Sequence, residues 1–300
     1  MNPVRNLTAD PIEPQEKPVK KIGILKETWM SLRRNRLAMF GLFLILLLAF
    51  TALFADVIAP YGMDDQMLSR RFRSPSGENF FGTDNLGRDI FSRVVYGSRV
   101  SLLIGLFAAT ISAAAGVFLG SLAGFYGGRI DNVIMRGVDI LMAIPSMLLA
   151  ISIVAALGPG IRNVVIAVAI AAVPGYARIV RASILSVKEQ EFVEAARCIG
   201  ANDKRIIFRH ILPNCLAPII VQITMSVAKA ILEAASLSFI GLGVQPPSPE
   251  WGAMLSAARP YIRDHWHVVA FPGFAIMAVI FGLNLFGDGL RDALDPRLKS

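Results

Sequence analysis

Two ionisable side chains, Lys229 and Glu233, lie near the middle of a long apolar stretch that runs from residue 210 to residue 249. Their separation of four residues places them on one face of a helix, where an ammonium and a carboxylate can pair. Each charge at the centre of a membrane helix costs about 2.5–3.5 kcal/mol on insertion scales. Two interpretations are open: the pair lines the path of a polar solute, or it neutralises itself at a buried contact between helices.

Asp139 and Asn284 are further polar residues at or within apolar stretches. Asp139 either faces the same path or lies at the membrane interface beside Arg136. Asn284 either lines the path or forms a hydrogen bond with another helix, and the helix contact is favoured. The candidate translocation-path residues are therefore Asp139, Lys229, Glu233 and Asn284.

No motif typical of catalysis or nucleotide binding occurs in the sequence. The phosphate-binding pattern G-x-x-x-x-G-K-[ST], the nucleophile elbow G-x-S-x-G and the zinc motif H-E-x-x-H are all absent. Cys198 and Cys215 are too few for a disulfide framework or a zinc finger. We therefore expect no catalytic residue, no metal site and no cofactor in this chain. Uphill transport would draw its energy from an ion gradient or from another subunit.

The polar segment 178–213 is long for a connection between two apolar stretches. Its pattern predicts two short helices joined at Gly200, and the first of them, near 187–198, carries acidic and small side chains. Glycine suits the left-handed backbone that ends many helices. Asn202 or Asp203 can cap the second helix, which is predicted to run to about His210. A rigid helix–glycine–helix elbow of this kind is suited to docking a soluble partner.

The composition places these segments in a membrane. Hydrophobic residues make up 54% of the 300 residues and charged residues 17%, against about 25% charged in a typical soluble chain. The charge-poor positions form windows at 37–55, 100–128, 140–161, 163–177, 210–249 and 268–287. A crossing needs about 20 mostly apolar residues, so the sequence predicts an all-α polytopic membrane protein with about six transmembrane helices.

The basic residues predict the orientation of these spans. With the N-terminus inside, the inside segments are 1–38, a loop near 129–136, 178–213 and the residues after 287, and they carry twenty lysines and arginines against nine outside. This excess favours both termini in the cytoplasm. The net charge of +8 is thereby explained by orientation rather than by nucleic-acid binding.

The predicted organisation has five parts. They are a cytoplasmic tail 1–38, a first span 39–59, an extracytoplasmic loop 60–98, a transmembrane core 99–290 that includes the cytoplasmic loop 178–213, and a cytoplasmic tail 291–300. In the first tail, Ile22, Leu25, Trp29 and Leu32 recur at helical spacing. This spacing indicates an interfacial amphipathic helix, with an elongated first span or a disordered basic tail as open alternatives.

Small residues recur at intervals of four along the second window, at Ala108, Ser112, Gly116, Gly120 and Gly124. Such a face lets another helix approach closely, which is how helices associate in lipid. The pattern predicts a packed bundle rather than a single membrane anchor.

The segment 178–213 resembles the EAA loop of the permease subunits of bacterial ABC importers. The family pattern is Glu-Ala-Ala, three residues, Gly, nine residues and then Ile-x-Leu-Pro. The residues in register with it are Glu194, Ala195, Ala196, Gly200, Leu212 and Pro213, and His210 stands in place of the isoleucine. The resemblance implies that these residues form a coupling helix that docks in a cleft of an ATPase subunit.

Three further segments are similar to the C-type permease subunits of the dipeptide, oligopeptide and nickel group, and the likeness extends over nearly the whole chain. They run from Phe81 to Asp89, from Gln245 to Gly252 and from Asn284 to Pro296. The resemblance implies a multi-pass protein of the bacterial inner membrane, surrounded by lipid, with no nucleic-acid partner. Its expected partners are a B-type permease subunit, two ABC ATPase subunits that bind ATP and Mg²⁺, and an extracytoplasmic substrate-binding protein.

We therefore expect a permease subunit of an ATP-driven ABC importer that forms half of the path for di- or oligopeptides. The chain itself is not expected to be an enzyme, because ATP hydrolysis belongs to the separate ATPase subunits. The same role for nickel, glutathione or another small solute is the alternative. A less favoured class is an ion-coupled secondary transporter with Asp139, Lys229 and Glu233 as its relay, because a lone carrier needs no docking loop.

Overall fold

The computed structural model describes residues 24–294, and the regular secondary structure in that range is helical. Residues 1–23 and 295–300, which include parts of both predicted tails, lie outside it. In chain order the α-helices are α1 (Ile24–Arg34), α2 (Arg36–Leu53), α3 (Ala55–Ile58), α4 (Ile90–Tyr126), α5 (Gly128–Met142), α6 (Ser146–Leu157), α7 (Ile161–Val187), α8 (Glu191–Cys198), α9 (Asp203–Arg205), α10 (Leu216–Phe239), α11 (Trp251–Ala258) and α12 (His267–Leu294). The predicted all-α fold is confirmed.

Five stretches of helix are long and apolar enough to cross a bilayer, and a bent pair supplies a sixth. The five are α2, α4, α7, α12 and the continuous stretch Asp203–Phe239, which ends as α10. The sixth consists of α5 and α6, whose axes meet at 87°. The predicted number of about six spans is therefore reached when the bent pair counts as one broken span.

The third predicted window, 140–161, does not form one straight helix. Helix α5 ends at Met142 and α6 begins at Ser146, with Pro145 between them. Proline has no backbone N–H, and it disfavours the helical conformation of the residue before it, so the chain turns here. The loop predicted near 129–136 is instead part of α5, whose charged residues lie beside apolar ones on a helix surface.

Three helices extend past the charge-free windows. Helix α4 begins at Ile90, inside the predicted loop 60–98. Helix α7 continues to Val187, so the first ten residues of the predicted loop 178–213 are helical, and α12 runs to Leu294, into the predicted tail 291–300. A charge-free window measures the apolar layer of the membrane, whereas a helix continues into the polar layer when its charged side chains find partners or water.

Helices α4 and α7 pack closely along the small residues of α4. A Cβ atom added to Gly120 would lie 2.6 Å from the carbonyl oxygen of Ala177, and one added to Gly116 would overlap the Cβ atom of Tyr176. The predicted close approach is thus confirmed, and its partner is α7. The buried residues of α4 on this side include Ala108, Ser112, Gly116, Gly120 and Gly124.

A second close contact holds the first span in place. A Cβ atom added to Gly41 of α2 would lie 2.6 Å from the carbonyl oxygen of Gly282 in α12. Leu32 of α1 is buried together with Ala38 and Ala293. Helix α1 is therefore anchored to the ends of α2 and α12, and the predicted helix at this position is present from Ile24 to Arg34.

The segment that connects α10 to α12 folds back onto α4. The carboxylate of Glu250 is buried and accepts hydrogen bonds of 2.9 and 2.8 Å from the backbone N–H groups of Gly252 and Ala253, which caps α11. The indole Nε1–H of Trp251 donates to the carbonyl oxygen of Val94 at 3.0 Å. These bonds fix the segment between α10 and α12 against the first turns of α4.

We expect Gly116→Ala to destabilise the protein and Gly137→Ala to leave it unchanged or slightly more stable. The added methyl group at residue 116 overlaps Tyr176, and overpacking of a well-packed contact costs about 1–3 kcal/mol. At residue 137, in α5, a Cβ atom meets nothing within 4 Å, so alanine brings only its better helix propensity of about 0.5–1 kcal/mol. Thermal unfolding of the two purified variants, monitored by their size-exclusion profiles, measures the difference in stability. Equal stability would contradict the close contact between α4 and α7.

Candidate functional site

Lys229 and Glu233 differ in their surroundings although they lie one turn apart on α10. The side chain of Lys229 is 64% exposed, whereas that of Glu233 is 11% exposed, and Nζ lies 3.8 Å from Oε1. The hydroxyl of Ser146 donates a hydrogen bond of 3.0 Å to Glu233 Oε1. Glu233 is thus bonded to another helix, while Lys229 extends from the surface of the chain.

The turn at Pro145 is what brings Ser146 to Glu233. Ser146 is the first residue of α6, and the 87° bend directs the start of that helix towards the middle of α10. Backbone N–H groups in the first turn of a helix have no partner within the helix. The carboxylate of Glu233 therefore lies beside the positive end of the α6 dipole, which stabilises its negative charge.

Asp139 forms an ion pair that neither of its two interpretations included. Its Oδ1 accepts a hydrogen bond of 2.6 Å from the guanidinium of Arg178 on α7, and both side chains are about half exposed. The expected neighbour, Arg136, lies on the same helix as Asp139, three residues away. The structure pairs Asp139 across helices instead, because α5 packs against α7.

Asn284 lies apart from these pairs. It is exposed on α12, and its side chain forms no hydrogen bond to the residues described in the structure. Both expectations for Asn284, a position on the path and a bond to another helix, therefore stay predictions. Of the four candidate path residues, the structure joins Lys229 to Glu233 and leaves Asp139 and Asn284 elsewhere.

Sequence reasoning missed the stronger of two ion pairs between α5 and α7. The guanidinium of Arg181 donates two hydrogen bonds to the carboxylate of Asp131, of 2.6 and 2.5 Å. Next to this pair, the ammonium of Lys188 donates to the carbonyl oxygen of Gly124 at 3.2 Å. These partners are 50 and 64 residues apart in the chain, so no local spacing indicated them.

The elbow after α7 has the predicted local geometry. Gly200 has φ of +80°, in the left-handed region, and ends the turn that follows α8. The side chain of Asn202 accepts a hydrogen bond of 2.9 Å from the backbone N–H of Arg205 and caps α9. From Ile206 to Cys215 the chain continues through a π-helical segment and a 3₁₀ turn into α10, so the second short helix is continuous with the fifth span.

One face of the elbow is anchored and the other is free. Val193 and Ala196 of α8 are buried against Ile206 and Ile211 and against the end of α7. Glu194 and Ala195 point away from this contact and are exposed. Leu212 is partly buried in the same cluster, and Pro213 is exposed just before α10.

The free face carries large apolar side chains that the sequence analysis did not single out. Ile199 is 85% exposed and Phe208 is 68% exposed, and Phe192 is also exposed. These residues lie in the polar segment that follows α7 and flank Gly200. An exposed apolar group rimmed by charges is typical of a protein–protein contact. In the part of the chain that is described, no three His, Cys, Asp or Glu residues are placed to hold a metal.

Two family models and two relatives that are similar to this chain are all described as components of transport systems. The model of the family described as "Binding-protein-dependent transport system inner membrane component" matches residues 116–300, and that of the "N-terminal TM domain of oligopeptide transport permease C" matches residues 23–75. A dipeptide transport system permease protein, DppC, of Alkalihalophilus pseudofirmus is 50% identical over 96% of this chain and 94% of its own. A glutathione transport system permease protein, GsiD, of Escherichia coli is 50% identical over 91% of this chain and 90% of its own.

A solved structure shares the fold. In an inward-facing MetNI methionine ABC transporter, one chain superposes with a TM-score of 0.57 over 69% of this chain and 98% of its own, at 19% identity. At that identity the likeness concerns the arrangement of helices alone.

The two ion pairs between α5 and α7 provide an internally matched test. Combining Asp131→Asn with Arg181→Gln in a double-mutant cycle should give a coupling energy of about 1–3 kcal/mol, since two short charge-assisted bonds are lost. The same cycle for Asp139→Asn and Arg178→Gln should give about 0–1 kcal/mol, because both groups are half exposed. Unfolding of the purified protein measures both cycles, and a stronger coupling for the second pair would contradict the observed burial.

Proposed function

The chain belongs to the family of binding-protein-dependent transport system inner membrane components, and from that premise we propose that it forms half of the translocation path of an ATP-driven importer of di- and oligopeptides. It is a multi-pass inner-membrane permease component, and such components act in a complex with other subunits. The observation that carries the proposal is the elbow of residues 188–213, which combines a fixed geometry with an exposed apolar face.

Short peptides are the substrate class that the relatives favour. One relative at 50% identity is named for dipeptides, and another at the same identity is named for glutathione, itself a tripeptide. A solute of two or three residues carries charged termini and requires polar groups along the path. Nickel or another small solute remains the alternative for the same architecture. The ion-coupled carrier is disfavoured, because these relatives are named as components of transport systems.

The path is proposed to run along the exposed face of α10. Lys229 extends from this face near the middle of the span, where lipid contact would be costly. Glu233 lies beneath it, and Asp139 and Asn284 are proposed to flank the path at other levels. A B-type permease subunit would supply the opposite wall, since one chain leaves this face open.

Residues of the elbow are proposed to dock one of two ABC ATPase subunits. Glu194 and Ala195 lie on the free face of α8, and the exposed side chains of Ile199 and Phe208 supply apolar contact area. Ala196, Leu212 and Pro213 connect this face to α10. ATP and Mg²⁺ would bind to the ATPase subunits, and an extracytoplasmic binding protein would deliver the solute on the other side.

This assignment places both termini and the elbow in the cytoplasm. The native thiols offer a test, because Cys198 is exposed at the elbow and Cys215 is buried. In membranes that lack the ATPase subunits, an impermeant maleimide should label Cys198 only from the cytoplasmic side and Cys215 from neither side. In a Cys198→Ser background, Gly77→Cys, in the loop before α4, should label only from outside. Labelling of Cys198 from outside would reverse the topology.

Gly200→Val should uncouple the transporter, whereas Gly200→Asn should not. A Cβ atom at residue 200 meets nothing within 4 Å, so the two variants differ in backbone preference alone. The φ of +80° is strongly disfavoured for a β-branched residue and tolerated by asparagine. Both variants should reach the membrane in normal amount, but only the valine variant should lose co-purified ATPase subunits and peptide uptake.

Glu194→Lys and Ile199→Ser should also weaken ATPase retention, because they reverse a charge and remove an apolar contact on the same face. Full uptake by Gly200→Val and Glu194→Lys at normal abundance would overturn the docking role of the elbow. A carrier that works alone predicts that outcome.

A further inference from the structure

We propose that α10 and α6 form a binding subsite for a solute with a free carboxylate and an apolar side chain, in which the ammonium of Lys229 binds the carboxylate and an adjoining cavity receives the side chain. The proposal rests on the transport role above and specifies the chemistry of its substrate. We define the subsite as Lys229, Glu233, Ser146 and the cavity described next.

The cavity has a volume of about 330 Å³ and opens on the exposed face of α10. Its lining is almost wholly apolar and includes Met147 of α6, Leu232 and Phe239 of α10, and Ile276 of α12. Ligand pockets in proteins are typically about 300–1,000 Å³ and mostly apolar, with a few polar groups that fix orientation. In size and composition this cavity can hold one large side chain of a small solute.

The charged pair adjoins this cavity along two helices. Leu232 of the cavity lies three residues from Lys229, at a neighbouring position on the surface of α10. Lys229 and Glu233 themselves line a separate, much smaller cavity between α10, α4 and α7. On α6, Met147 of the cavity follows Ser146, whose hydroxyl binds Glu233. The polar groups therefore lie at the edge of the apolar pocket, as orientation of an amphipathic solute requires.

Lys229 has unused capacity for hydrogen bonding. An ammonium has three donors, and the nearest carboxylate oxygen lies at 3.8 Å, beyond the range of about 2.7–3.2 Å for a hydrogen bond. That oxygen, Glu233 Oε1, is already bonded to Ser146. Glu233 thus lowers the cost of placing the ammonium in the span through an ion pair that forms no hydrogen bond, and a solute carboxylate can accept hydrogen bonds from the ammonium.

The position of Lys229 in its helix argues against a lipid-facing side chain. Ten residues separate it from the end of α10 at Phe239, which corresponds to about 15 Å at 1.5 Å per residue. A lysine side chain that snorkels to the interface is usually found near a helix end. An exposed ammonium at this depth therefore requires a water-filled path, a polar ligand or a polar group of a second subunit, and the open cavity beside it favours a ligand.

The test is direct binding of a dipeptide to the assembled transporter in lipid nanodiscs, without the binding protein. Radiolabelled Ala-Phe and its C-terminal amide are compared by equilibrium dialysis. Wild type should bind the free acid about tenfold or more tightly than the amide, the difference expected from one charge-assisted hydrogen bond. Lys229→Met should bind both forms equally, and Lys229→Arg should retain the preference for the acid.

Two controls separate the parts of the subsite. Leu232→Trp fills the cavity, so it should weaken binding of both forms and leave their ratio unchanged. Lys26→Met removes an exposed lysine from α1, far from the subsite in sequence and on a different helix, and should bind as wild type does. A changed ratio of acid binding to amide binding in Lys26→Met would mean that the preference for the acid comes from the net charge of the protein and not from a binding site. That result would overturn the proposal.

The outcomes distinguish this proposal from the broader function. If the wild-type complex imports Ala-Phe when its binding protein is present but binds acid and amide equally, the subsite is wrong and the transport role stands. The same holds if an importing complex shows no detectable binding. If the complex imports no peptide at all while another solute is taken up, the peptide assignment itself fails.

Discussion

The close packing of α4 against α7 is the contact on which the other features depend. Gly116 and Gly120 let the two backbones approach so closely that a methyl group would collide with Tyr176 or with the carbonyl oxygen of Ala177. In lipid, helices gain little from hydrophobic burial, so tight packing of small residues has to hold them together. Because α7 continues directly into the elbow, this contact also fixes where the elbow emerges.

Helix α7 in turn positions the bent pair α5 and α6. Arg178 and Arg181 extend from its last turns and bind Asp139 and Asp131 of α5. The bend at Pro145 then directs α6 towards α10, where Ser146 meets Glu233. A continuous series of contacts therefore joins the elbow to the charged pair, through two ion pairs and one broken helix. Such a series provides a physical route between the elbow and the proposed path along α10.

The two exposed surfaces of the chain differ in character. At the elbow, Ile199 and Phe208 present apolar groups in a polar segment, which suits a soluble protein partner. On α10, Lys229 presents a charge within an apolar span, which suits a solute or a second path-forming subunit. Each surface is unusual for an isolated chain, and each fits the role that we propose for it: contact with an ATPase subunit at the elbow and contact with solute along α10.

Local and periodic features of this protein could be predicted from its sequence. The apolar windows indicated the helical class and the approximate number of spans, the four-residue repeat on α4 indicated a packing face, and Gly200 and Asn202 indicated the turn and the cap of the elbow. These features depend on residues within a few positions of one another, so the chain itself specifies them. The likeness to permease subunits of ABC importers was evident at the same level.

The tertiary structure alone decided which charges meet and where space remains. Glu233 binds Ser146 across 87 residues, Asp131 binds Arg181 across 50, and Asp139 binds Arg178 rather than its near neighbour Arg136. The proline that breaks the third span was visible in the sequence, but the 87° angle accompanies the packing of both α5 and α6 on α7. Partners of this kind are chosen by the relative placement of packed helices, and helix placement in a bilayer depends on the shapes of all contacting faces at once.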